Sequence, residues 1–188
     1  MSAKIVNKIT EHYKSEYHIN IVLDDSSLIS NYLEEKINHK YFKKLNPLTI
    51  SDLCKIISNT EFGIFIDSGP LHFAKILGIR GSLITTSVSG DILLNDFKTI
   101  KEIKNQYYSN YCNSPCGLTN IFNFENKIGC YQSLQISKEN LIKKDNFNSL
   151  QRGQIKNRYM DFMVNPVGCI NDINLNKLID EINLSLYN

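Results

Sequence analysis

Between residues 4 and 17 apolar side chains return at every fourth position, at Ile5, Ile9, Tyr13 and Tyr17, a spacing that lines one face of a helix. The pattern then changes period. His18-Ile19-Asn20-Ile21-Val22-Leu23 alternates and runs into Asp24-Asp25-Ser26-Ser27, which predicts a short strand ending in a polar turn. Leu28, Ile29, Tyr32, Leu33 and Ile37 predict a second helix, and Thr49-Ile50-Ser51-Asp52 has the form of a capping box ahead of Leu53, Ile56 and Ile57. Phe62-Gly63-Ile64-Phe65-Ile66 is a nearly continuous apolar run and reads as a strand buried on both faces. It passes through Asp67-Ser68-Gly69-Pro70 into a short helix with Leu71, Ala74, Ile76 and Leu77, closed by Gly78. Residues 79–85 supply another strand.

Strands and helices in this alternation predict an α/β fold. The expected core is a parallel sheet whose adjacent strands include 19–23, 62–66 and 82–85, with helices on both faces. The second half reads differently. Residues 105–131 hold three of the five cysteines and few helical signals, while 137–144 and 172–186 read as helices. The expectation is one domain over 1–188, with a core in 1–100 and an irregular cysteine-containing region closed by a last helix in 101–188.

Composition narrows the class. At 188 residues, with 42% hydrophobic and 21% charged, the chain has the balance of a soluble globular domain. Its 21 Lys and Arg against 19 Asp and Glu give a formal net charge of +2, without the basic excess of a dedicated nucleic-acid binder. No apolar run approaches the roughly 20 residues of a membrane span. Lys4, Lys8 and Glu11 interrupt the N-terminus where a signal peptide would be continuously apolar, so a cytoplasmic protein is expected.

Candidate chemistry concentrates at Asp67-Ser68-Gly69-Pro70-Leu71-His72. A strand that turns through glycine into a helix presents free backbone N–H groups and the positive end of the helix dipole, which together suit a phosphate. In an open parallel sheet this turn lies beyond the carboxyl ends of the strands, where ligands bind. Pro70 suits the first helical turn because the N–H it lacks has no helical partner there. The plainer alternative is that Asp67 or Ser68 merely caps the helix and His72 is an ordinary surface or core histidine.

The stretch from Leu53 through Phe62-Gly63-Ile64-Phe65-Ile66-Asp67-Ser68-Gly69-Pro70-Leu71-His72-Phe73-Ala74-Lys75-Ile76-Leu77-Gly78-Ile79 resembles glycosyltransferase family 9, which includes the bacterial lipopolysaccharide heptosyltransferases. The shared features are a buried strand, Asp-Ser/Thr-Gly-x-x-His, and a small-residue helix ending in Leu-Gly. Cys112, Pro115-Cys116-Gly117 and Cys130 are similar to the family's cysteine-bearing tail, so the resemblance spans residues 19–135.

It implies the Rossmann-like C-terminal half of a GT-B glycosyltransferase that binds a nucleotide-diphosphate sugar and acts in lipopolysaccharide or other cell-surface glycan assembly. By analogy Ser68 and Gly69 would hold the donor diphosphate, with Asp67 and His72 close to it and the sugar. The backbone N–H groups of Gly69 and Leu71 are then expected to point into an open pocket, and since Pro70 interrupts the donor row, Thr86 and Ser87 of the next loop are the candidates to complete the cradle. Two Rossmann-like domains need about 300 residues. The expectation is therefore a fragment or partial enzyme, with no catalytic residue of its own, completed by an N-terminal acceptor domain. Its acceptor would be a glycan or lipid-linked, met at the inner face of the membrane, and its chemistry is metal-independent. In place of the family's glycine-rich loop this chain has Asp24-Asp25-Ser26-Ser27, and in place of Phe-Gly-Pro-Thr it has Thr85-Thr86-Ser87-Val88-Ser89-Gly90.

Of the cysteines, Cys54 falls on the apolar face of a predicted helix as an inert core thiol. Cys112, Cys116, Cys130 and Cys169 leave two readings open: a four-sulfur structural metal site, zinc or iron–sulfur, or thiols that pack an irregular region. Arg152 could reach a phosphate, or could stand solvated. Two other function classes remain beside the transferase: a non-catalytic Rossmann-like domain that binds a partner, and a small cysteine- or zinc-stabilised module.

Overall fold

The four-residue spacing near the N-terminus becomes helix α1 (Ala3–Tyr13) in a computed structural model that describes residues 1–26, 28–105, 107–108, 113–115 and 173–187. Ser2 caps it, its hydroxyl accepting from the Ile5 amide at 3.4 Å, and Ile5, Ile9 and Tyr13 are buried. The helix ends at Tyr13 rather than Tyr17. The chain turns there, the Tyr17 amide donates to the Tyr13 carbonyl at 3.0 Å, and the two rings meet edge to face.

Strand β1 (Asn20–Val22) leads through α2 (Leu28–Lys36) and a 3-10 turn (His39–Tyr41) to β2 (Lys43–Leu45), and the two strands pair in parallel with Ile21 opposite Lys44. This corrects the expected adjacency of 19–23 and 62–66: β1 belongs to a two-stranded sheet of its own. β2 carried no strand signal because Lys-Lys-Leu breaks the apolar pattern. Its Lys44 ammonium is instead held by the carboxylates of Asp25 and Glu34, the latter at 2.6 Å, which raises the Lys44 pKa.

The predicted capping box opens α3 (Ile50–Ser58). Thr49 Oγ1 accepts from the Asp52 amide at 3.1 Å, and Asp52 accepts from the Thr49 amide at 3.2 Å. Then β3 (Gly63–Phe65), α4 (Gly69–Ile76), β4 (Gly81–Ile84), α5 (Gly90–Leu94) and β5 (Ile100–Ile103) build a second parallel sheet in the order β3-β4-β5. Helix α4 closes as expected at Gly78, whose φ of 68° lets its amide reach the Lys75 carbonyl while the Ile79 amide reaches Ala74. Two-residue strands β6 (Tyr107–Tyr108) and β7 (Asn113–Ser114) pair antiparallel, and α6 (Leu175–Leu186) completes the described residues.

Both faces of the three-stranded sheet are covered. Ile84 and Ile103 pack with Ile5, Ile9 and Tyr13 of α1 and Leu178, Ile179 and Ile182 of α6. On the other face Leu83 and Ile100 pack with Ile57 of α3, Leu71 and Ala74 of α4, and Leu93 and Leu94 of α5. Phe65 lies over Gly63 and Gly81, so tightly that a Cβ would stand 2.2 Å from its ring at Gly63 and 2.9 Å from it at Gly81. The described residues thus form an α/β arrangement of small parallel sheets and helices, consistent with a Rossmann-like fold. One expectation for β3 is corrected: Ile64, Phe65 and Ile66 are half-buried rather than buried on both faces, since among the described residues a strand pairs β3 on one edge only. The expected helix at 137–144 lies outside the described residues.

Candidate functional site

The turn Asp67-Ser68-Gly69 sits where the site was expected, at the carboxyl end of β3 and the start of α4. Ser68 has extended backbone at the N-cap, and its side chain does not cap the helix; its hydroxyl donates to the Ile66 carbonyl at 3.0 Å. That leaves the hydroxyl's lone pairs for a donor from outside the turn. Gly69 is exposed and a Cβ there would meet nothing within 4 Å. Its backbone lies outside the left-handed region, so neither conformation nor packing requires glycine at this position. Asp67 and His72 are exposed.

Leu71 departs from expectation. Its amide donates to the Ser68 carbonyl at 3.1 Å and its side chain is fully buried against α3 and β4, so it does not face an open pocket. The row of free donors narrows to the Gly69 amide, since Pro70 has none.

The second half of the expected cradle, Thr86 and Ser87, follows β4, which is β3's direct neighbour, and both residues are half-buried. The shared parallel sheet therefore puts the 67–69 turn and the 85–89 loop at the same edge. What shapes that loop was not legible in the sequence. Glu102 of β5 accepts from the Thr85 hydroxyl at 3.1 Å and from the Gly90 amide at 2.8 Å, and it pairs with Lys104 at 3.7 Å. Thr85 Oγ1 also lies 3.2 Å from the Ile103 carbonyl. A Cβ on Gly90 would stand 2.4 Å from the Glu102 carboxyl carbon, so glycine is required there for close approach. This carboxylate anchors the start of α5 and holds both ends of the 85–90 loop. Contacts that join residues 12 and 17 positions apart leave no local signature.

The acidic loop Asp24-Asp25-Ser26 follows β1 and is internally satisfied. Asp24 accepts from the Ser26 amide at 2.8 Å and hydroxyl at 2.6 Å, which holds its carboxyl below the usual range. Asp25 pairs with Lys44 and accepts from Asn46 at 2.6 Å. One of the two charges that would repel a diphosphate is thereby offset by a cation.

Other features lie away from this edge. A groove of about 770 Å³ runs between Tyr17–Asn20 and Lys40–Lys43, at the amino ends of β1 and β2, with the Lys14 ammonium 4.2 Å from the Tyr41 ring centre. Cys54 is half-buried on α3 with a free thiol. Cys112, Cys116, Cys130, Cys169 and Arg152 lie outside the described residues. Among the described residues no group of three His, Cys, Asp or Glu side chains could hold a metal ion, and no helix is long and apolar enough to cross a membrane. Comparison of the chain with family models, with curated proteins and with solved structures returns no match.

Proposed function

We propose that this chain is a nucleotide-sugar-binding domain of the family 9 glycosyltransferase type, the Rossmann-like C-terminal part of a GT-B enzyme acting in lipopolysaccharide or cell-surface glycan assembly. The observation that carries this reading is Gly69: a glycine that neither the backbone nor the packing demands, open to solvent, opening a helix at the carboxyl edge of a parallel sheet. A glycine kept free of a side chain there suits a ligand that must approach the amide closely. In this reading Gly69 N–H donates to a donor phosphate and Ser68 turns its hydroxyl from the Ile66 carbonyl toward it. Thr86 and Ser87 close the cradle, while Asp67 and His72 stand beside the sugar. The general base and acceptor site belong to a second domain.

Calorimetric titration with a panel of nucleotide sugars and nucleoside diphosphates tests this. The chain should bind at least one of them, and Gly69→Val, which the open surroundings accommodate, should abolish the heat while leaving the unfolding midpoint in place. Ser68→Ala should weaken binding by about tenfold to a hundredfold, the worth of one hydrogen bond to a charged group. Absence of binding by the unaltered chain favours the second reading, a Rossmann-like domain that binds a partner. The engaged Leu71 amide is the observation on that side.

A further inference from the structure

We propose that the groove between residues 14–20 and 40–43 is a binding site for a compact oligophosphate, a short chain of phosphate groups held by charge and without a ring that must be stacked. The site is independent of the sugar-binding reading, whose candidate turn follows β3.

The charge around this groove has one sign. Lys14, Lys40 and Lys43 line it together with His18, and no Asp or Glu is among its lining residues. Three lysines in one place already exceed the formal net charge of +2 carried by the whole chain. Glu16, within the same turn, is engaged elsewhere and accepts from the Tyr187 hydroxyl at 3.1 Å. Lys44 supplies the contrast: next to Lys43 on β2, it is held by Asp25 and Glu34. Among the described residues no carboxylate pairs with Lys14, Lys40 or Lys43. Like charges gathered at one surface repel, and a bound anion relieves that repulsion.

The walls of the groove are fixed. The Lys43 amide donates to the Ile19 carbonyl at 2.9 Å and Asn20 stands opposite Lys43, which pins one wall to the other. Tyr17 and Ile19 pack against the cluster of Ile5, Ile9 and Tyr13, and Phe42 packs against that of Val6, Leu23 and Ile37. Lys14 reaches across the groove to the Tyr41 ring, its ammonium 4.2 Å from the ring centre, and the Lys40 ammonium lies 5.8 Å from the same centre. One ring thus gathers two cations, and each keeps N–H donors for a ligand.

These features select among anions. A volume of about 770 Å³ suits a small molecule. The lining cations include no arginine, so the groove offers point charges for phosphate oxygens and no planar fork for a carboxylate. Several separate ammoniums call for several charges close together on the ligand, as adjacent phosphates provide. A nucleobase finds no free ring among the lining residues. Phe42 lies against His39 with ring centres 5.2 Å apart, Tyr17 meets Tyr13 edge to face, and Tyr41 carries the two ammoniums. None of the exposed large apolar side chains among the described residues lines the groove, which leaves an acyl chain nothing to bury against.

Sodium tripolyphosphate is the probe, titrated into the full chain and followed by calorimetry and by amide chemical shifts. The amides of residues 14–20 and 40–43 should shift and saturate together. Lys40→Glu combined with Lys43→Glu, both at exposed positions, should weaken binding by about a hundredfold, the worth of two charge-assisted contacts, and leave the unfolding midpoint in place. Lys98→Glu combined with Lys101→Glu makes the same change in net charge at exposed positions outside the groove, and should weaken binding by less than about threefold. ATP, gaining no stacking, should bind within about threefold of tripolyphosphate. A peptide of glutamates and vesicles of anionic lipid should bind at least about tenfold more weakly. The proposal is overturned if tripolyphosphate does not bind, or if it shifts only the 67–72 and 86–90 amides, a result that would leave the sugar-binding reading standing. It is equally overturned if the two lysine pairs weaken binding alike, if ATP binds more than about threefold tighter, or if the peptide or the vesicles match tripolyphosphate.

Discussion

Strands β4 and β1 are short, apolar and built from similar residues, yet they live in different surroundings. β4 has a parallel neighbour on each edge and helices on each face, and all four of its residues are buried, Leu83 completely. β1 has one neighbour among the described strands; Asn20 is exposed, and Ile21 and Val22 are half-buried. An apolar run sets how much burial a strand can use, while its neighbours set how much it receives.

The largest expected effect tests that contrast directly. Leu83→Ala should cost about 3–5 kcal/mol, as for a fully enclosed aliphatic side chain, and Ile21→Ala about half that or less. Urea unfolding of the two variants measures both; equal losses would mean that β1 is as enclosed in solution as β4.

Next comes the helix pair that covers one face of the larger sheet. The Tyr13 hydroxyl donates to Asn183 Oδ1 at 2.6 Å, joining α1 to α6, and burial pushes its pKa up from 10.0 to about 12, helped by the nearby Tyr17, Glu16 and Asp180. The folded chain keeps this proton where the unfolded chain loses it. The stabilisation is therefore complete below pH 10 and disappears as pH rises toward 12, a loss on the order of 1–2 kcal/mol. Tyr13→Phe should flatten that alkaline fall in stability, and absorbance titration of the phenols should lose one step displaced to the alkaline side of 10.

The smallest effect has the opposite sign. Ser82, inside β4, is completely buried and its hydroxyl has no hydrogen-bond partner among the described residues. Ser82→Ala should raise stability by about 1 kcal/mol, since it removes an unsatisfied polar atom from the most enclosed strand. A loss of similar size in the urea midpoint would show that a water or other partner satisfies the hydroxyl.

Local chemistry made much of the fold readable. The capping box at Thr49 and Asp52, the Gly78 stop, the alternation of strand and helix, and the strand–turn–helix at 63–72 depend on residues within a few positions of one another. Each element was visible because its period or its cap is local. β2 escaped because its Lys44 serves an ion pair with Asp25 and Glu34 rather than a core, and α5 because Glu102, a residue of β5, anchors its start.

At the candidate site the sequence determined the residue types and their place after β3, including a glycine close to a serine and a histidine; that this glycine stands open is a structural finding. Only the tertiary structure decided that the Leu71 amide turns inward, that Glu102 shapes the neighbouring loop, and that Lys44 offsets Asp25. It also decided the division into two sheets. Strand adjacency depends on which edges find partners across tens of residues, and hydrophobic periodicity records which side of a segment is apolar, not which segment lies beside it.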